Sequence, residues 1–125
     1  MGPSGWFATG ASAAALGVVL GAFGAHGLKS HLSPDMLAIF ETGVRYHLIH
    51  ALALLATAWA VDRWPSPQTS AAGWLFLIGL VVFSGSLYML AVTGARWLGA
   101  ITPLGGLAFI AGWVALAWGA FRAGT

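Results

Sequence analysis

The chain has 125 residues, 59% of them hydrophobic and only 6% charged, whereas soluble domains carry about a quarter charged residues; this excludes a water-soluble globular fold and points to one integral membrane domain, residues 1–125. Five Lys+Arg against three Asp+Glu leave a net charge of +2, but the cations are scattered, so no basic patch exists to grip nucleic acid. With no cysteine, disulfides, thiolate ligands and cysteine nucleophiles are excluded as well.

The first apolar run, about residues 6–27, has no Lys or Arg before it. Secretory signals open on a basic stretch, so a retained helix is expected. Its Gly10, Gly17, Gly21 and Gly24, with Ala13 and Ala14, share one stripe at about 100° per residue. Gly17 and Gly21 form a G-x-x-x-G pair that lets helix backbones approach closely in lipid. Packing within the monomer is the commoner use of such a stripe, and self-association the other.

A polar link containing Lys29 and His31 leads to Ser33-Pro34-Asp35, a helix start with a hydroxyl cap, proline at the first position and an acid at the positive end. A short interfacial helix over about 34–42 and a second span over about 43–62 are expected from here. Trp59 and Trp64 stand where indoles prefer the headgroup level. The stretch Pro65-Ser66-Pro67-Gln68 reads as a turn.

The third span, about 70–92, ends at Thr93-Gly94, a C-cap by residue type. Ser84 and Tyr88 share one face of it, while Ser86 points elsewhere. Serines within spans bond their own backbone or a neighbouring helix. Thr102-Pro103 suggests a cap opening the fourth span, about 102–121. Gly105, Gly112 and Gly119 repeat every seven residues there, matching the first span. That rhythm predicts a seam between spans one and four or against another copy.

Ionisable groups in a membrane core are costly and need an account. Glu41 and Arg45, four apart with the acid first, suit a helix ion pair. On a straight helix His50 lies about 180° and His47 about 120° around from Glu41, which disfavours a metal triad of these three. His47 and His50 instead share a polar stripe with Gly43, Tyr46 and Thr57. Two imidazoles want a third ligand for a stable metal site, so His26 or His31 would have to supply it. A haem held by His26 and His50 is the related possibility. Tyr46, His47, His50 and His26 are therefore the candidate ligand residues; no metal or cofactor is assigned. P-loop, H-E-x-x-H and G-x-S-x-G patterns are absent, and Ser84-Gly85-Ser86 lacks the strand setting of a nucleophile elbow.

Four spans place both termini on one face, with Arg63 and Arg122; the other face carries Lys29, Arg96 and, if it lies outside the core, Arg45. Charge counting does not decide which face is cytoplasmic.

Four stretches carry a family resemblance: GAFGAHGL at Gly21 to Leu28, TGVRYHLIHALALL at Thr42 to Leu55, VFSGSLYML at Val82 to Leu90 and ITPLGGLAFIAGW at Ile101 to Trp113. Together they touch every proposed span. The chain resembles domain-of-unknown-function family 423, which includes the transmembrane-protein-256-like proteins of animals. The resemblance implies a multi-pass protein of the inner or plasma membrane with cytoplasmic termini, and no established reaction. It also implies that a non-histidine is tolerated at the place of His47, which favours His26 and His50 as ligands.

The expected architecture is an all-α, four-helix transmembrane bundle with a short interfacial helix between spans one and two. Its expected role is non-catalytic: a bundle among membrane lipids that associates with itself or a larger membrane complex through glycine-lined faces. A ligand or redox module that binds a metal, haem, quinone or lipid headgroup at the histidines is the second reading, and a transporter subunit the third.

Overall fold

The computed structural model describes residues 1–125. Four helices are long and apolar enough to cross a membrane: α1 (Pro3–Leu28), α2 (Pro34–Arg63), α3 (Pro67–Thr93) and α4 (Thr102–Ala123), the last preceded by a 3-10 turn at Arg96–Ala100. There is no strand, as hydrocarbon demands: a helix satisfies its own backbone hydrogen bonds where no water can do so.

Local chemistry sets the boundaries. Ser33 Oγ accepts from the Met36 N–H at 3.2 Å, with Pro34 and Asp35 in the first turn of α2. The expected interfacial helix is not a separate element, because nothing between Asp35 and Gly43 breaks the helix. Instead α2 runs unbroken for 30 residues. At about 1.5 Å per residue it is about 45 Å long, more than a hydrocarbon core of about 30 Å, so its first turns serve as the interfacial segment. Ser66 opens α3 with a full capping box: its Oγ accepts from the Thr69 N–H, and Thr69 Oγ1 accepts from the Ser66 N–H, both at 3.2 Å. Gly94, with φ of 73°, ends α3 as its residue type suggests. Thr102 is not a cap: it lies inside α4, with its hydroxyl 2.6 Å from that of Ser86 and 3.3 Å from the Leu98 carbonyl.

Two wide π-turns interrupt the regular helices, at Gly24–Leu28 in α1 and Leu80–Ser84 in α3. The second re-phases α3 at its middle. Ser84 donates to the Gly43 carbonyl of α2 at 2.8 Å, while Ser86 faces Thr102 of α4. A single helix is thus stitched on both sides.

Helices α2 and α3 form the centre, α1 packs on α2, and α4 packs on α3. The glycine stripes are consumed in these two seams, which corrects the expectation of a seam between the first and fourth helices. A Cβ placed on Gly17 would lie 2.6 Å from Leu48 Cδ2, and one on Gly24 would lie 2.8 Å from the Phe40 ring. Gly10 and Gly21 face Leu54 and Val44 in the same way. On the other side Gly112 lies against Phe76, Gly119 against Thr69, and Gly105 against the backbone of Phe83 in the π-turn. The close approach replaces the hydrophobic drive that lipid removes. Trp6, Leu54, Phe76, Leu80 and Phe109 fill the core with alanines of α2 and α3. Trp6 Nε1 is the one buried side-chain polar atom without a hydrogen-bond partner; the indole lies edge-on to Trp74, with ring centroids 5.1 Å apart.

Adjacent glycines of α4 test this packing. Gly105→Ala drives a methyl into main-chain atoms that cannot step aside, and overpacking costs about 1–3 kcal/mol. Gly106→Ala meets only the Phe83 ring at 3.7 Å and is expected to stay within about 0.5 kcal/mol. Thermal unfolding of both variants in the same detergent checks this; equal stabilities would refute the seam.

Candidate functional site

The polar stripe on α2 becomes two imidazoles with different partners. His47, 1% exposed, stands where α1, α2 and α3 meet. Its Nε2–H donates to the Ala13 carbonyl of α1 at 2.7 Å, and its Nδ1 accepts from the Tyr88 hydroxyl of α3 at 2.8 Å. A carbonyl can only accept, which fixes the tautomer. Two glycines make the arrangement possible. A Cβ on Gly17 would sit 3.1 Å from His47 Cδ2, and one on Gly43 would sit 2.8 Å from the Tyr88 ring.

His50, one turn on, reaches the other side of the bundle. Its Nε2 accepts from the Trp113 indole N–H of α4 at 3.0 Å, while Nδ1–H donates to the Tyr46 carbonyl at 2.8 Å. The ring stacks on Phe109 with centroids 3.5 Å apart and planes 7° from parallel. Each imidazole therefore spends one donor and one acceptor inside the protein, and neither keeps a lone pair for a metal.

Around His50 lies a cavity of about 340 Å³ whose lining includes Tyr46, Phe83, Phe109 and Trp113. Counting about 20 residues of hydrocarbon core from the Trp59–Trp64 rim puts His50 near the midplane. Tyr46 then lies in the half of the bilayer away from the termini. Its ring is 38% exposed, packs on Phe83 with centroids 4.8 Å apart, and carries a hydroxyl that makes no hydrogen bond within the protein. It is the polar group this cavity has to offer a ligand.

The other candidates do not join this cluster. His26 is exposed on the π-turn of α1, so neither the proposed metal set nor the haem pair with His50 is assembled. No group of three metal-ligating side chains occurs. His31 closes the end of α1, its Nδ1–H donating to the Gly27 carbonyl at 2.9 Å, a C-terminal orphan acceptor. Glu41 and Arg45 are exposed on the surface of α2, and no salt bridge within 4.0 Å joins them; holding two long exposed side chains in one geometry costs entropy that an exposed ion pair barely repays. Tyr88 and Trp113 are the partners that the pattern of α2 did not reveal. The shared face of Ser84 and Tyr88 was the available signal for the first; Trp113 stood in a span with no polar neighbour to mark it.

If His47 holds three helices together, its bond to Tyr88 should be separable by a double-mutant cycle. Tyr88→Phe is expected to cost about 0.5–1.7 kcal/mol, the range for hydrogen bonds in membranes. In a His47→Leu background the same change should become nearly silent. Unfolding equilibria in mixed micelles measure it, and additive losses would show that the two side chains do not cooperate.

Comparison with known proteins agrees with this architecture. The family described as "Protein of unknown function (DUF423)" matches residues 20–106. The chain is 51% identical over 106 residues to the UPF0382 membrane protein YwdK of Bacillus subtilis, covering 84% of this chain and 86% of that protein. It is 46% identical over 113 residues to the UPF0382 membrane protein SH2409 of Staphylococcus haemolyticus, covering 90% and 92%. A UPF0382 membrane protein of Haemophilus influenzae is 42% identical over 106 residues, covering 84% of each. No solved structure matches the chain. Four bilayer-length apolar helices, closed by a polar stripe on the second, thus describe a small membrane protein that belongs to the DUF423 family.

Proposed function

We propose that the protein acts without catalysis, as an intramembrane binding module that receives a flat, uncharged, carbonyl-bearing molecule of the quinone type from the lipid phase. The observation that carries this reading is the free Tyr46 hydroxyl at the edge of the His50 cavity. Aromatic residues Phe83, Phe109 and Trp113 line that cavity, and aromatic walls favour a flat guest. Its depth in the bilayer disfavours a charged one. A phenol there gains by donating to a carbonyl, since hydrocarbon gives it no other partner.

Association with other copies or with a larger complex is the other role open to a small bundle. Its glycine faces are spent in the α1–α2 and α3–α4 seams, so such contacts would have to use the outer faces of α1 and α4. The bacterial relatives support a place in the plasma membrane; cytoplasmic termini are part of our proposal and rest on the family resemblance alone.

Menadione serves as the probe. Added to the protein in lipid nanodiscs, it should quench tryptophan fluorescence saturably, and Trp113→Phe should remove much of that quenching. Tyr46→Phe should weaken binding about 3- to 10-fold, the worth of one net hydrogen bond, without lowering thermal stability. Linear, non-saturating quenching that ignores Tyr46 would overturn the reading.

A further inference from the structure

Two of the chain's five basic side chains, Arg63 at the end of α2 and Arg122 at the end of α4, flank one cavity of about 770 Å³ on the face that carries both termini. Trp64, Gln68 and Ser66 are among its other lining residues, and no acidic residue lines it. Asp62, the nearest acid in sequence, lines a different cavity with Pro3 and Trp59. The cavity thus presents two guanidinium groups from different helices without a carboxylate to balance them.

Directly along the α2–α4 side lies a second cavity, of about 270 Å³, lined only by hydrophobic residues, among them Ala60, Trp64, Trp113, Leu116 and Ala117. Trp64 is a wall of both cavities, so the basic cavity and the apolar groove lie next to one another at its indole. Trp113, held by its bond to His50, closes the far end. From Arg122 to Trp113 is about 14 Å along α4 at 1.5 Å per residue. Half of a hydrocarbon core of about 30 Å is the depth of one leaflet, and the groove matches it.

We propose that this groove binds an anionic phospholipid, with its phosphate between Arg63 and Arg122 and one acyl chain lying from Trp64 to Trp113. Guanidinium forks match phosphate oxygens in pairs, and basic pockets between transmembrane helices are where anionic headgroups settle. The site lies in the opposite leaflet from the Tyr46 cavity and does not depend on what that cavity holds.

The test uses the whole protein in phosphatidylcholine vesicles doped with brominated lipid, which quenches tryptophans in contact with its chains. Brominated phosphatidylglycerol should quench more than brominated phosphatidylcholine at equal mole fraction. Arg63→Gln and Arg122→Gln should each lower the relative affinity about five-fold, and the double variant should abolish the preference. Both arginines are exposed, so these variants should keep the wild-type melting temperature. Arg96→Gln, on the other face, should leave the preference intact, while Ala117→Leu should weaken it by filling the groove. Equal quenching by the two lipids overturns the proposal, as does a preference that survives the double variant. Inorganic phosphate that displaces the lipid in wild type, with Ala117→Leu without effect, would show a bare anion site and would also overturn it.

Discussion

The bundle depends on the two hydrogen bonds of His47. In water an imidazole could exchange either partner for solvent at little cost; in hydrocarbon each unmade bond leaves a polar atom with nothing to replace it. The ring therefore fixes the relative position of three helices at one point. Ala13 of α1 and Tyr88 of α3 must both come within reach of the same residue of α2. Gly17 and Gly43 follow from that demand, since any side chain there would hold the helices too far apart or displace the Tyr88 ring.

His50 repeats the arrangement toward α4, and in doing so divides one side of the molecule. The Trp113–His50 bond stands near the midplane, between an apolar groove rising to the arginine rim and an aromatic cavity in the other leaflet. Neither histidine needs a ligand to be explained. Within the polar stripe, His47 and His50 fasten the bundle internally, while Tyr46 is left beside them at the rim of the aromatic cavity.

Most of the architecture was legible because hydrocarbon leaves few choices. Spans are read from apolar runs, and the Ser33-Pro34 start and Gly94 stop from residue types whose chemistry is local. The polar-faced start of α2 marked an interfacial segment but not its continuity with the span: with no helix breaker between Asp35 and Gly43, one helix carries both. Helix partners were beyond reach: the seven-residue glycine rhythm of α1 and α4 marks a close approach but says nothing of what approaches. The phase change at Leu80–Ser84 was equally hidden, since a π-turn has no residue signature there. Consequently Ser84 could not be paired with Gly43 by counting.

At the His47 site α1 is attached through its main chain. The atom of α1 that receives the imidazole proton is a main-chain oxygen, present whatever amino acid occupies position 13. Substitutions along the outer surface of α1 can therefore accumulate without touching its point of attachment. A helix exposed along most of its length is free to adapt its coat to bilayers of different composition while the joint beneath stays the same.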